Sequence, residues 1–464
     1  MPSLRDVEDE IATALRRVEP HTSYAEAMAE RSVGHRLRLD RSQTSIGVEP
    51  RVEGAVFRAW AGHEWVETAS SGLDAKSLAA SVDALRHRLT ADAKRTPPPG
   101  VSATGSGERE SESKVPLESF SVEHRLALAK RLHDLALSAG GIDNAIVNVN
   151  ASSEERLFLS TVGARRWHRI ERTRGRLAAV AMENGKVEWD YISYGETGGW
   201  EVLDELTDAR VLEVAAEAKA LLKAGSAPTG EMNVILDPGT AGTFAHESFG
   251  HGTEADQLLR DRSYLKPLLG SMVGPEFLTL VDDGSYPRGW GSIFFDDEGH
   301  PSQRTVLVDR GKFVEVLHDR ESAAVFHRAA TGNTRRADFL SRPFVRMTNT
   351  FVEPGDWTLD ELVKEAKNGL LLQNCTSGIE DPLGGQMQIK VKKARRIVNG
   401  ELGPVGPSMA LSGKVLEFLQ GIRGVGKADE FVISPGYCGK GHTDLIPAGT
   451  GGTYLLSHAL VGPA

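Results

Sequence analysis

The chain has 464 residues, of which 54 are Lys or Arg and 64 are Asp or Glu, so its formal net charge is −10. This length exceeds one ordinary core and favours two domains, and the content of 40% hydrophobic and 25% charged residues argues against a disordered chain. The acidic balance predicts no nucleic-acid partner, and two cysteines are too few for a disulfide framework.

The N-terminal residues are charged and carry no apolar leader segment. No apolar run in the sequence approaches the roughly 18 residues that a membrane-spanning helix needs. We therefore expect a cytoplasmic protein with no membrane partner.

The first 225 residues alternate between helical and strand-like patterns. Apolar residues recur at three- and four-residue spacing in four segments, which predicts helices over about residues 3–18, 74–91, 120–138 and 207–223. Asn184-Gly185 predicts a hairpin between two of the strand-like runs. The order predicts an N-terminal α/β domain over residues 1–225, built from two helix–sheet–helix halves.

A stretch at about residues 96–114 is rich in Pro, Ser, Gly and Glu. It has almost nothing to bury, so it predicts a flexible linker or a long loop within the N-terminal domain.

From about residue 230 the pattern changes to short strands and hairpin turns. Asn399-Gly400 follows a strand-like run, and one clear helix is predicted at about 358–367. The sequence therefore predicts a β-rich domain over residues 230–464 and an α+β fold for the whole chain.

The most informative segment is 234–256, where a strand meets a Gly-rich turn and then a helix. This turn lacks the Lys-Ser/Thr of a phosphate-binding loop, and no nucleophile elbow of the Gly-x-Ser-x-Gly type is present. The segment instead contains His246-Glu247-x-x-x-His251, which resembles a zinc-peptidase motif with one extra residue between the histidines.

The five-residue spacing has a geometric consequence. On a straight α-helix, the rings of His246 and His251 would point about 140° apart. Two histidines that share one metal therefore predict a local distortion, either a π-bulge or unwinding at Gly250.

A catalytic zinc site usually takes three protein ligands, so a third ligand is expected elsewhere. Cys438 stands in a glycine-bracketed loop and is the best candidate, with His442 as its competitor and a small buried hydrophobe as its alternative role. Cys375 lies in a predicted strand, which favours a role in the core. Glu254 or Asp256 is expected to accept a hydrogen bond from a ligand histidine, the alternative being a solvated or turn-capping carboxylate.

These residues carry a resemblance to a known family. The segment 246–256 resembles the signature of the TldD/PmbA family of metallopeptidases. Further similar motifs follow in the same order, at residues 295–299, 303–305, 317–320, 331–333, 346–350 and 438–440. The chain keeps both the His-Glu-x-x-x-His motif and the late cysteine, so it resembles the catalytic TldD-like members and not the PmbA-like (TldE-like) ones.

The resemblance implies a metal site and a mode of assembly. It implies that zinc is bound by His246, His251 and Cys438, and that Glu247 is the catalytic acid. It also implies a homodimer or a heterodimer with a PmbA-like (TldE-like) paralogue. The substrates that it implies are unfolded peptides, including leader segments of modified-peptide precursors.

Together, the residues and the resemblance lead to the hypothesis of a zinc-dependent peptidase that hydrolyses unfolded or extended peptides. Glu247 would move the proton between water and the leaving amine. His318 and Arg346 are predicted to contact the substrate or an oxyanion, the alternative being structural packing. Two other functions stay open: a non-hydrolytic peptide-binding subunit of a complex, and a zinc amidohydrolase acting on small amides.

Overall fold

The computed structural model describes residues 3–440 and 444–464 and has a mixed α+β fold, which confirms the predicted class. In this part of the chain the α-helices are α1 (Glu8–Arg16), α2 (Ala75–Arg86), α3 (Val122–Ser138), α4 (Asp208–Leu221), α5 (Pro238–Thr243), α6 (Ala255–Leu259), α7 (Arg320–Phe326), α8 (Leu359–Ala366) and α9 (Val415–Gln420). Among the described residues, none of these helices combines the length and the apolar character needed to cross a membrane.

The strands divide into an N-terminal and a C-terminal group. Those of the N-terminal group are β1 (Ala25–Leu39), β2 (Thr44–Val48), β3 (Val52–Trp60), β4 (Trp65–Ser70), β5 (Ser106–Glu110), β6 (Asn144–Ser160), β7 (Arg165–Glu183) and β8 (Lys186–Thr197). Those of the C-terminal group are β9 (Gly230–Leu236), β10 (Leu280–Asp283), β11 (Arg304–Asp309), β12 (Lys312–Phe313), β13 (Thr334–Arg335), β14 (Phe344–Val345), β15 (Asn349–Val352), β16 (Gly369–Asp381), β17 (Gln386–Val398), β18 (Glu401–Gly406), β19 (Met409–Lys414), β20 (Gly424–Val425), β21 (Val432–Lys440), β22 (Asp444–Gly452) and β23 (Leu455–Pro463).

The two predicted N-terminal halves share one sheet. Its strand order is β4-β3-β1-β6-β7-β5, with β2 beside β1 and β8 beside β7. Strand β1 of the first half pairs with β6 of the second half along residues 26–39 and 147–160. Helices α1 and α2 bury their apolar faces on one part of this sheet, and α3 and α4 on another. The predicted order of helix, strands and helix in each half is confirmed.

The hairpin predictions at the two Asn-Gly pairs are also confirmed. Asn184 and Gly185 have φ of 50° and 80°, and Asn399 and Gly400 have φ of 50° and 79°. Such left-handed conformations are those a two-residue hairpin turn requires. The first pair joins β7 to β8, and the second joins β17 to β18.

The structure differs from the predicted flexible linker in the stretch 96–114. Residues 106–110 form β5, which runs parallel to β7 from Ser106 opposite Arg165. The side chain of Glu108 also lies 2.8 Å from Arg165 Nη1. The prediction of a loop is therefore wrong for β5, because pairing with a distant strand holds a segment whose composition offers nothing to bury.

The C-terminal part contains two larger sheets. One has the order β12-β11-β10-β15-β22-β21, and the other has the order β16-β9-β23-β19-β17-β18 with β20 beside β23. Strand β16 also pairs with β17, so β16, β9, β23, β19 and β17 form a closed ring. A large apolar core joins both sheets to the helical segment that follows β9. This packing brings β9, β16 and β21 to one region of the molecule.

Candidate metal centre

The helical segment that carries the histidines begins directly after β9. Asp237 caps α5: its Oδ1 accepts the backbone N–H of Thr240 at 2.9 Å, and its Oδ2 accepts that of Asn374 at 2.9 Å. Pro238 occupies the first helical position, where a missing N–H costs nothing. The cap therefore fixes where the helix starts and ties it to β16.

Helix α5 continues as a π-helix over Phe244–Gly250 and one 3-10 turn over His251–Thr253. The His251 N–H donates to the His246 carbonyl, five residues earlier. This i+5 pattern places residues five apart on the same side, and the ring centroids of the two histidines are 5.2 Å apart. The predicted helix distortion is confirmed, and it takes the π form.

Gly250 allows this segment to lie close to its neighbour. A Cβ atom at Gly250 would stand 2.1 Å from the sulfur of Met347, which no side chain tolerates without movement. Any residue with a Cβ atom at position 250 would therefore keep the helix farther from Met347 than glycine does.

Cys438 reaches the histidines from β21, which pairs antiparallel with β22. Its Sγ lies 3.4 Å from His251 Nε2, and one ligand atom from each of His246, His251 and Cys438 lies within 4.8 Å of the others. The buried Arg346 guanidinium donates a hydrogen bond to the Cys438 carbonyl and so fixes the strand at this position. The structure thus brings the three predicted ligand residues together.

The three side chains influence one another's protonation. Burial raises the pKa of the Cys438 thiol, but the facing His251 and His246 outweigh it and hold that pKa well below its usual range. Burial lowers the pKa of His251, but the Cys438 thiolate and Glu254 raise it well above its usual range. The site therefore favours a thiolate, which is the form of cysteine that binds metals.

Glu254 and Lys440 stand behind His251. Glu254 Oε2 lies 3.4 Å from His251 Nδ1, and Lys440 Nζ lies 2.9 Å from the same oxygen. Lys440 Nζ also lies 2.7 Å from Asp256 Oδ1. Burial raises the pKa of Glu254, but Lys440 and His251 more than offset it and lower that pKa to about 2. A charged Glu254 can therefore fix the orientation of the His251 ring.

Glu247 faces a cavity of about 450 Å³ beside the ligand cluster. Its Oε2 lies 4.0 Å from His251 Nε2, and its side chain is 31% exposed. Strand β16 passes close by at Gly378, where a Cβ would be 2.8 Å from Glu247 Cγ. His246 and Cys375 also line this cavity. The Glu247 carboxylate therefore lies next to the three candidate metal ligands and is accessible to a molecule bound in the cavity.

Comparisons with known proteins show the family of this chain. The sequence model of the PmbA/TldA metallopeptidase C-terminal domain matches residues 229–457, and that of the central domain matches residues 115–225. The metalloprotease MJ0996 of Methanocaldococcus jannaschii is 37% identical over 323 residues, which are 69% of this chain and 70% of that protein. This chain belongs to the TldD/PmbA family of metallopeptidases.

One further relative and one solved structure extend the comparison. The zinc metalloprotease TldD homolog of Saccharolobus solfataricus is 31% identical over 235 residues, which are 50% of this chain and 52% of that protein. The crystal structure of TldE from Thermococcus kodakarensis superposes with a TM-score of 0.79 at 16% identity, and covers 98% of this chain and all of that one. At this identity, the structural likeness shows the fold alone.

The donor set fits a metal ion. Thiolate sulfur and imidazole nitrogen together suit the borderline and softer divalent metals, and suit magnesium or calcium poorly. Among the described residues, His246 Nδ1 is buried without a hydrogen-bond partner. The three candidate ligand atoms come from two separate chain segments and lie within 4.8 Å of one another.

The other predicted site residues lie in different surroundings. His318 is fully buried, with Nε2 3.4 Å from Glu315 Oε1 and Nδ1 3.2 Å from Ser322 Oγ. Neither His318 nor Arg346 lines the cavity beside Glu247. Their contacts with a substrate stay predictions, and His442 lies outside the described residues.

The sequence reasoning missed residues that the structure places at the site. Lys440 is two residues from Cys438 on the same strand, and such residues share a face, so this spacing could have found it. Arg174, Tyr191 and Ser193 line the cavity from the N-terminal sheet. No local sequence signal marks these three, because their position depends on how the two parts of the chain meet.

Proposed function

We propose that this protein is a zinc-dependent peptidase with zinc held by His246, His251 and Cys438. The observation that carries the proposal is the convergence of the three ligand atoms within 4.8 Å beside the exposed carboxylate of Glu247. Zinc as the metal is supported by the donor types and by the name of the Saccharolobus relative. The thiol ligand suits a reducing compartment, in line with the cytoplasmic location expected from the sequence.

When bound, zinc supplies Lewis-acid activation of water and of the scissile carbonyl. Glu247 accepts the proton of the attacking water and returns it to the leaving amine. Glu254 and Lys440 hold His251 in place, and Arg346 holds the Cys438 backbone. These residues thus divide into a proton carrier and residues that hold the proposed metal ligands.

Extended or unfolded peptides are the proposed substrates. In the described part of the chain, β21 forms an edge of its six-stranded sheet, and residues 434–437 of this strand line the cavity beside Glu247. The Gly436 carbonyl of this strand already accepts the Trp290 indole N–H, and the remaining backbone groups of the edge can pair with an extended peptide that adds as a further strand. Recognition through the backbone suits many sequences, including the leader segments of modified-peptide precursors.

The proposal includes assembly as a homodimer or with a TldE-like paralogue. The support is the shared fold with the TldE of Thermococcus kodakarensis. Light scattering on the protein alone, and on the protein mixed with a purified TldE-like paralogue, measures the mass directly. A monomer under both conditions would exclude this part of the proposal.

The test of the function combines metal analysis with peptide cleavage. We expect about one zinc per chain, and loss of cleavage of an unfolded peptide after chelation, with recovery when zinc is restored. Glu247→Gln should keep the zinc and lower kcat by about 10²–10⁴-fold, the usual contribution of a general base. Glu417→Gln, an exposed glutamate on α9, is the matched control and should retain full activity.

Three outcomes would count against the proposal. Full activity without metal would exclude the mechanism. Peptide binding that ignores the chelator, with no cleavage under any condition, would favour the non-hydrolytic subunit. Cleavage of small amides but not of peptides would favour the amidohydrolase.

A further inference from the structure

The cavity beside Glu247 has walls from both parts of the chain. His246 and Glu247 lie on its C-terminal side, and Arg174 of β7 with Tyr191 of β8 lie on its N-terminal side. The Tyr191 hydroxyl donates to the Cys375 carbonyl at 2.5 Å, which ties the two walls together. Side chains from the N-terminal sheet therefore face whatever occupies the cavity.

Arg174 is a cation that has no ion-pair partner among the residues that the structure describes. Its Nε–H donates to Ser193 Oγ at 3.0 Å, and among the described residues no carboxylate lies within ion-pair distance of it. Burial lowers the pKa of the Arg174 guanidinium from its usual value, so the surroundings disfavour its charge. A half-buried cation in this state gains from an anion that enters the cavity.

The acidic groups of the cavity wall do not supply that anion. Both oxygens of Asp237 already accept backbone N–H groups, from Thr240 and Asn374. Glu247 lies near His251 and is the proposed proton carrier. Within the described part of the chain no acidic group supplies this counter-charge, so an anion bound in the cavity can do so.

A second cavity, of about 730 Å³, also contains arginines and shares Tyr437 with the first. Its arginines have partners within the chain: Arg36 pairs with Glu49, and Arg38 lies 3.0 Å from Asp40. The buried Arg172 donates to two backbone carbonyls, each at 3.0 Å. The unmatched charge thus belongs to the cavity that contains Glu247.

We propose that Arg174 binds a carboxylate of the substrate peptide and so selects peptides that carry one close to the scissile bond. The carboxylate is an acidic side chain or the C-terminus, since both present the same two oxygens to the planar guanidinium. Ser193 orients the guanidinium through Nε, which leaves both terminal nitrogens for the ligand. This specificity rests on the proposed peptidase function.

The test measures binding of short N-acetylated peptides of Ala, Gly and Ser to the zinc-loaded Glu247→Gln protein. A single Glu is placed at each position in turn and compared with Gln at the same position, and a third set compares a free with an amidated C-terminus. We expect the carboxylate to tighten binding about tenfold or more at one position, because charge-assisted hydrogen bonds are strong. The position reveals whether a side chain or the C-terminus is the ligand.

In the Glu247→Gln background, Arg174→Gln should abolish the difference in affinity between peptides with and without the carboxylate. It should not weaken the binding of the uncharged peptides. Arg174→Lys should keep part of it, because the charge remains but the planar fork is lost. Arg210→Gln removes the same charge from an exposed position on α4 and should leave the difference intact. Discrimination that persists in Arg174→Gln, or none in the parent protein, would overturn the proposal.

Cleavage by the protein with Glu247 intact separates this proposal from the proposed function. If carboxylate discrimination depends on Arg174 but no peptide is cleaved, the binding role stands and the peptidase function fails. If peptides are cleaved without preference for a carboxylate, the peptidase function stands and the role of Arg174 is excluded.

Discussion

Two buried polar clusters in this molecule differ in how their charges are matched. Between the N-terminal sheet and the C-terminal part, Arg320 Nη2 lies 2.8 Å from Glu26 Oε2, and Arg58 Nη1 lies 2.7 Å from Glu298 Oε1. At the metal centre, three ligand atoms instead face one another. The sequence motifs around Glu298 and around Glu247 both contain several ionisable residues. Opposite charges in contact are thus the main feature of the interdomain cluster, whereas at the metal centre such contacts stand behind a set of converging ligand atoms.

The largest expected effect comes from breaking the interdomain cluster, which is the set of buried ion pairs between Arg320 and Glu26 and between Arg58 and Glu298. Arg320→Met removes the nearer cation partner of the buried Glu26 and leaves Arg58, at 3.4 Å, as the remaining one, and losing one partner of a buried pair typically costs about 3–5 kcal/mol. The guanidinium also stacks 4.7 Å above the Tyr24 ring, a contact that methionine cannot replace. Urea unfolding followed by tryptophan fluorescence should show a large fall in the midpoint.

The matched control for this change is Arg304→Met, because Arg304 pairs with Glu353 at the surface. Exposed pairs of this kind contribute about 0–1 kcal/mol, so the midpoint should barely move. Folded Arg320→Met protein should also keep its full zinc content. Zinc loss from the folded variant would show that the two clusters are not independent.

The next effect concerns the metal centre itself. Cys438→Ser removes the thiolate, and we expect zinc affinity to fall by at least about a hundredfold, more than for residues that only support a ligand. The zinc-free variant also loses the pairing of the Cys438 thiolate with His251, so its free energy of unfolding should fall as well. Competition with a coloured chelator measures the affinity.

The chain supplies its own control for this experiment. Cys375 lines the same cavity but lies outside the ligand cluster, and burial raises its pKa to about 11. Cys375→Ser should therefore retain zinc. If Cys375→Ser loses the metal and Cys438→Ser keeps it, the wrong thiol has been assigned.

A smaller effect is expected at Glu254, which contacts a candidate metal ligand but is not one itself. Glu254→Gln keeps the shape of the side chain but removes the charge between His251 and Lys440. Residues in this position typically change metal affinity by about 10–100-fold. An unchanged affinity would mean that Glu254 resembles the interdomain carboxylates and only balances Lys440.

Local features of this structure follow from the sequence more readily than distant contacts do. The two Asn-Gly turns and the distorted helix at His246 depend on neighbouring residues. The Asn-Gly pairs predict the turns directly, and the five-residue spacing predicts the distortion once both histidines are assigned to one metal. The bond between β5 and β7 depends on chain segments about sixty residues apart, so the composition of 96–114 predicts a loop. Arg174 enters the site for the same reason, because only the meeting of β7 with the C-terminal part brings it beside Glu247.

The smallest expected effect comes from shifting the Glu247 side chain without changing any of the candidate metal ligands. Gly378→Ala places a Cβ about 2.8 Å from both Glu247 Cγ and Thr243 Cγ2, so the Glu247 side chain must shift. Overpacking of this kind costs about 1–3 kcal/mol, and we expect a roughly tenfold fall in kcat with zinc content unchanged. Gly107→Ala is the control, since its Cβ would approach nothing closer than Arg166 Nη1 at 3.7 Å. A loss of zinc together with activity would show that the position of Glu247 and the ligand cluster form one cooperative unit.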